Sequence, residues 1–152
     1  MDEVYVPIGG GGLISGIAMA IKELRPQIRI YGVEPNHSNA MSEALRHCGP
    51  VALPVVETIA DGLAARTTEE LNYLIVRRYV DEVILVNDQE ILDSLLFLLE
   101  YGKLLAEPSG SASLAGLLAN KKRRGQAAAV ISGGNITLQQ IGELQLGRGD
   151  RR

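Results

Sequence analysis

The chain has a single cysteine, Cys48, in 152 residues, which excludes an internal disulfide and a cysteine-rich zinc site and points to a reducing compartment, the cytoplasm. Basic excess is also missing. Fifteen Lys and Arg stand against 18 Asp and Glu, a net charge of −3, so no electrostatic footprint for nucleic acid is present. The N-terminus, Met1-Asp2-Glu3-Val4-Tyr5-Val6, lacks the basic segment and apolar run of a signal peptide. The charge-free stretch from Gly125 to Gly142 is broken by Gly133-Gly134-Asn135 and carries three glutamines, so it reads as no membrane span. His37 and His47 read as surface residues with no nucleophile to serve, and Cys48 as a packing residue. Lysine is limited to Lys22, Lys103, Lys121 and Lys122.

What is present is an ordinary soluble composition, 46% hydrophobic and 22% charged, over the length of one domain with one core. Val4–Ile8 reads as a buried strand, and Leu13, Ile14, Ile17, Ala18, Ile21 and Leu24 then follow helical spacing until Pro26. A second strand over Ile28–Val33 precedes a short helix over Asn39–His47, and Gly49 to Leu63 has no period and reads as a loop. Thr67 with Glu70 forms a capping-box pattern for a helix to about Tyr79, and Asn87 with Glu90 forms another, for a helix to about Tyr101. Between them lies a strand, Val83–Val86. Pro108-Ser109-Gly110 reads as a turn before a helix, Lys121–Arg124 as that helix's basic last turn, and Ala127–Ile131 as a final strand before a helix from Ile136. Alternating strands and helices without repeat or linker predict one α/β unit, an open parallel sheet with helices on both faces.

Ligands in such sheets bind beyond the carboxyl ends of the strands. Four unusual segments fall there: Gly9–Gly12, Glu34-Pro35, Glu107-Pro108-Ser109-Gly110 and Ser132-Gly133-Gly134-Asn135. A tight strand-to-helix turn needs one or two glycines. Four in a row allow several backbone N–H groups to face one anion at a helix N-terminus. The dinucleotide pattern G-x-G-x-x-G starting at Gly10 meets Ser15 where glycine is needed, and the P-loop pattern starting at Gly11 meets Ile17 where lysine is needed. Glu34, 22 residues beyond Gly12, imitates the ribose-binding acid of nucleotide folds. A non-catalytic nucleotide- or anion-binding module therefore stands as an alternative, one that leaves Ser132–Asn135 unexplained.

The sequence from Val6 to Ala18, with Pro7-Ile8-Gly9-Gly10-Gly11-Gly12-Leu13-Ile14-Ser15-Gly16 at its centre, resembles the phosphate loop of the fold-type-II pyridoxal-phosphate enzymes. This is the group of threonine dehydratase, serine dehydratase and serine racemase. Tyr31-Gly32-Val33-Glu34-Pro35, Thr58–Ala64, Asp81-Glu82-Val83 with Glu90, Leu105–Ala112 and Val130–Asn135 are similar to further elements of that family, in its order. The resemblance implies part of the large domain of a tryptophan-synthase-β-like fold. It also implies pyridoxal 5'-phosphate as cofactor, and conversion of L-threonine or L-serine to a 2-oxo acid and ammonia.

By position, Gly9, Gly10, Gly11, Gly12 and the Leu13 amide would hold the cofactor phosphate, and Ser132 would hydrogen-bond the pyridine nitrogen. The alternative for Ser132 is a helix N-cap. Gly62 and Glu107 would flank the ring. Some family members bind a divalent cation through positions matching Glu34 and the carbonyl of Ser38, with an acid two residues on. Ala40 stands there in this chain, so a weak or absent metal site is expected, with Glu34 a structural hydrogen-bonding residue instead. The family's Schiff-base lysine belongs to an N-terminal Ser-Phe-Lys type segment with no counterpart in residues 1–152, which read as one unit from the C-terminal part of the catalytic domain. The implied partners are an amino-acid substrate and either further copies of the chain or a complementing N-terminal half. Nucleic acid and membrane are not among them.

Overall fold

Val4, Val6 and Ile8 pack into one core cluster and Tyr5 into another, so alternation along the first strand divides the helices between two faces of a sheet. The computed structural model describes residues 1–147 of the chain. Strands β1 (Glu3–Pro7), β2 (Arg29–Pro35), β3 (Glu82–Val86) and β4 (Ala127–Ala129) form a parallel sheet in the order β3-β2-β1-β4. Tyr5 lies opposite Tyr31 on one side and Ala129 on the other. β1 is therefore buried throughout, and its apolar run needs no polar face.

Helices α1 (Gly12–Leu24), α2 (Ala40–His47) and α3 (Glu70–Tyr79) cover the face carrying Val4, Val6, Ile8 and Ile30, with Ile14, Ala18, Met41, Ala44, Tyr73 and Val76 filling the gap. On the other face Ile91 of α4 (Asp88–Phe97) and Ala112 and Ala115 of α5 (Pro108–Ala119) meet Tyr5, Tyr31 and Val33. The small residues of α5 let it lie close across β1, β2 and β3. A last helix, α6 (Leu138–Leu146), follows β4 and buries Ile141.

Helix starts separate local signals that held from those that did not. The Asn87–Glu90 box forms in both directions, with Oδ1 of Asn87 accepting from the Glu90 N–H at 2.9 Å. The Thr67–Glu70 box does not form: α3 begins at Glu70 with Glu69 as its cap, and the Thr67 hydroxyl donates to the Thr68 carbonyl. Pro108 is not part of a turn but the first residue of α5, where the absent N–H is no loss. The basic run Lys121–Arg124 lies past the end of α5 at Ala119, in a loop held by Asn120 and by the Arg124 N–H, which donates to Glu3. α4 ends at Phe97 and continues as a wider π turn, Leu98–Gly102. α6 starts at Leu138 rather than Ile136, and Thr137 and Gln140 supply a box that the sequence reading missed.

At the amino ends of the strands, Glu3 is fully buried and bonded by Arg29, by the Arg124 N–H and by the Tyr5 hydroxyl, which also accepts from Asn120. Burial, reinforced by the Glu3 hydrogen bond, pushes the Tyr5 phenol up to about 12. This network joins the α5–β4 loop to β1 and lies at the end of the sheet away from the glycine turn.

Phe97, Tyr101, Leu104, Leu105 and Leu138 are exposed, and among the described residues the outer edge of β4 has no partner strand. Apolar area left wet forgoes about 25 cal/mol per Å², and an open edge invites pairing. Sedimentation velocity of this chain is expected to show self-association. A monodisperse monomer would count against that expectation.

Candidate active site: a glycine turn at the carboxyl ends of the strands

β1 ends at Pro7, and Gly9–Gly12 turn the chain into α1. Gly11 caps the helix with φ of +94°, a left-handed conformation that other residues rarely adopt. A side chain there would also meet the Met41 Cε at 2.7 Å. The first turn of α1 carries no acidic residue, so the positive end of the helix is uncompensated. The N–H groups of Gly10, Gly11 and Gly12 find no acceptor among the described residues. On the far side, the Gly10 carbonyl accepts from Thr68 Oγ1 at 3.0 Å and from Asn72 Nδ2 at 2.9 Å.

Three other segments close on this turn. The 3-10 turn Asp61–Leu63 is tied to α5 by the Gly62 N–H, which donates to Ser109 Oγ at 2.9 Å, and to the β2–α2 loop by Ser38 Oγ, which donates to the Leu63 carbonyl at 2.7 Å. Glu107 caps α5, and its N–H donates to the Gly133 carbonyl at 3.1 Å. A Cβ at 133 would displace the Glu107 carboxylate from its present position. Together these segments enclose a concavity of about 320 Å³. Gly9, Gly10, Gly11, Gly12, Leu13, Gly62, Glu107 and Ser132 all line it, with Pro7, Leu63 and Ser109. Ser109 lies in a segment that the sequence marks for ligand binding, but its bond to Gly62 is not legible there, because nothing local links the two.

Ser132 is exposed and does not cap α6, which starts six residues later with its own cap at Thr137. Asn135 faces a second, adjoining concavity of about 1130 Å³, which also holds Asp61, Asp88 and Glu107. No lysine lines either space. Lys22 pairs with Asp81 at 2.7 Å, and Lys103 donates to the Glu100 carbonyl at 2.6 Å.

Glu34 is fully buried, and its carboxylate accepts from the Met41 and Ser42 N–H groups at 2.8 and 2.9 Å and from Ser42 Oγ at 2.6 Å. It satisfies the orphan donors at the start of α2. That arrangement does not fit a hard cation, because its oxygens already face three donors and Ala40 brings no second carboxylate. Ser38 braces the 61–63 turn through its hydroxyl. The same burial removes Glu34 as a ribose ligand, so the nucleotide reading loses its acidic residue.

The sequence from residue 1 to 133 matches the family described as pyridoxal-phosphate dependent enzyme. The chain belongs to this family. It is 39% identical over 145 residues to an L-threonine ammonia-lyase of Thermotoga maritima, covering 95% of this chain and 36% of that protein. Among solved structures, maize serine racemase superposes with a TM-score of 0.87 at 35% identity, over 97% of this chain and 48% of that one. A processed threonine deaminase isoform 2 of Solanum lycopersicum gives a TM-score of 0.91 at 29% identity, over 96% of this chain and 44% of that one. The chain thus spans less than half the length of these relatives, which share its tryptophan-synthase-β-like α/β fold.

Pyridoxal phosphate is the cofactor of this family, and the residues present suit it. A phosphate needs several N–H donors, and the turn at Gly10–Leu13 has free amides, a helix N-terminus without an acidic residue in its first turn, and open space at Gly10 and Gly12.

Two expected results concern residues beside this site. Burial pushes the Glu34 carboxyl up to about 7 from a usual 4.5, with the Ser42 and Met41 donors pulling the other way. A raised folded-state value stabilises the fold below the unfolded value, and that contribution is lost as pH rises through about 7. The difference corresponds to at most about 3 kcal/mol. Urea melts of wild type and Glu34→Gln at pH 5 and pH 8 are expected to shift the gap in favour of the variant at pH 8; a pH-independent gap would show that the donors cancel the burial.

Ser15, one turn beyond Gly11, is only 4% exposed, and its hydroxyl has no partner among the described residues. Ser15→Ala removes an unsatisfied buried group and improves helix propensity, so the variant is expected to gain about 1 kcal/mol in the same melts. A loss would reveal a partner for that hydroxyl.

Proposed function

We propose that this chain forms the phosphate-holding part of an ammonia-lyase of threonine/serine dehydratase type, acting on L-threonine or L-serine to give a 2-oxo acid and ammonia. One observation carries the reading. Four segments far apart in sequence bring all the proposed cofactor contacts into one concavity of about 320 Å³. When bound, pyridoxal phosphate supplies an electron sink for charge developing at the substrate α-carbon.

The amides of Gly9–Leu13 hold the phosphate against the α1 dipole. Gly62 and Glu107 would bound the ring, and the Ser132 hydroxyl would meet the pyridine nitrogen. A neutral hydroxyl leaves that nitrogen largely unprotonated, which suits elimination or racemisation more than transamination. The described lysines lie away from this concavity, so an amine to serve the cofactor and the α-proton would have to come from a complementing segment, and a homo-oligomer is the expected working form. A cytoplasmic setting accords with the lone cysteine.

Equilibrium titration of the folded chain with pyridoxal phosphate, NAD and ATP tests the cofactor assignment. Binding of pyridoxal phosphate alone, competed by inorganic phosphate, is the expected result. Binding of a nucleotide without pyridoxal phosphate would overturn the assignment. Once complemented, ammonia release from L-threonine against formation of D-serine from L-serine separates lyase from racemase.

A further inference from the structure

The Gly10 carbonyl receives two side-chain hydrogen bonds, from Thr68 just before α3 and Asn72 in its first turn, residues 58 and 62 positions along the chain. A single donor is enough to satisfy a carbonyl oxygen. Two side-chain donors from the same side do more: they fix the plane of the peptide between Gly10 and Gly11. In a trans peptide the C=O and the following N–H point in opposite directions. Holding the Gly10 carbonyl against α3 therefore turns the Gly11 N–H away from α3. Both flanking residues are glycines, so rotation of this peptide plane meets little steric resistance from side chains. A flipped peptide would put a carbonyl oxygen, rather than an N–H, against a bound anion.

We propose that Thr68 and Asn72 are positioning residues that hold the Gly10–Gly11 peptide with its N–H toward the cofactor phosphate. The proposal rests on the reading of Gly9–Leu13 as a phosphate site. It makes the start of α3 part of the binding machinery without touching the ligand. Next to the Thr67 that does not cap α3, the Thr68 hydroxyl serves the glycine turn, and α3 begins only after it. The Asn72 Cβ stands 3.1 Å from where a Gly11 side chain would begin, so the same residue also packs against the left-handed position.

The test uses the whole chain with inorganic phosphate as the probe, titrated by calorimetry and followed at the Gly11 amide by nitrogen–proton NMR. Thr68→Val combined with Asn72→Leu is expected to weaken phosphate binding by about tenfold and to diminish the phosphate-induced shift of the Gly11 amide. Thr68→Ser, which keeps the hydroxyl, is expected to stay within about twofold of wild type, a rescue that a purely structural role would not require. If the double variant does not fold, Thr68→Val alone reads the same effect at about threefold. A folded double or single variant that binds phosphate as wild type does, with an unchanged Gly11 shift, would overturn the positioning role. Failure of wild type itself to bind phosphate or pyridoxal phosphate would instead remove the underlying site, and the positioning role with it.

Discussion

Gly12→Asp is expected to reduce binding of both inorganic phosphate and pyridoxal phosphate by at least about a hundredfold, with no loss of fold. Gly12 is the first residue of α1, its backbone is not left-handed, and a Cβ there meets nothing within 4 Å. A carboxylate in the first turn of a helix is favourable to the helix itself. The same charge lies at the amides meant for a doubly charged phosphate. At about 4 Å, charge repulsion near a protein surface amounts to several kcal/mol, enough for the stated loss. Gly11 is a poorer choice, since any side chain there is strained by the φ of +94° and collides with Met41, so lost binding would not be separable from lost structure. Calorimetric titration with a parallel thermal melt makes the check. Unaltered binding by a folded Gly12→Asp chain would mean that the anion does not bind at this turn.

The second large effect concerns chemistry. This chain by itself is expected to release no ammonia from L-threonine or L-serine, and borohydride is expected to fix no cofactor to it. Each described lysine is placed away from the two concavities: Lys22 is held by Asp81, Lys103 by the Glu100 carbonyl, and Lys121 and Lys122 lie in the exposed loop after α5. Supplying a complementing segment with its lysine converts an encounter in solution into a positioned one, where effective molarities reach about 10⁵ M or more. Turnover in the mixture is therefore expected to exceed that of either part by several orders of magnitude. Ammonia release by the unaided chain, abolished by Lys103→Ala and accompanied by a borohydride-fixed Lys103 peptide, would overturn this account.

Much of the architecture follows from signals that close within a few residues. The apolar run of β1, the helical spacing from Leu13 to Leu24 and the Asn87–Glu90 box depend on backbone periodicity and on hydrogen bonds spanning three or four positions, so the sequence alone determined them. The glycine run likewise announced a turn suited to an anion, because four adjacent residues without Cβ have few other uses.

The strand order β3-β2-β1-β4 was decided by tertiary packing, as were the fates of individual polar groups. The Thr67–Glu70 box did not form, and the neighbouring Thr68 hydroxyl found a carbonyl 58 residues away. Glu34, which by spacing resembled a ribose ligand and by family resemblance a weak metal ligand, was drawn onto the N–H groups of α2 when β2 and that helix came together. Ser109 met Gly62 because α5 crosses the sheet at that height. In each case the donor and acceptor lie on different elements. Which partner wins depends on how closely those elements approach, a distance fixed by the packing of side chains such as Met41, Ala112 and Ala115 between helix and sheet rather than by the order of residues along the chain.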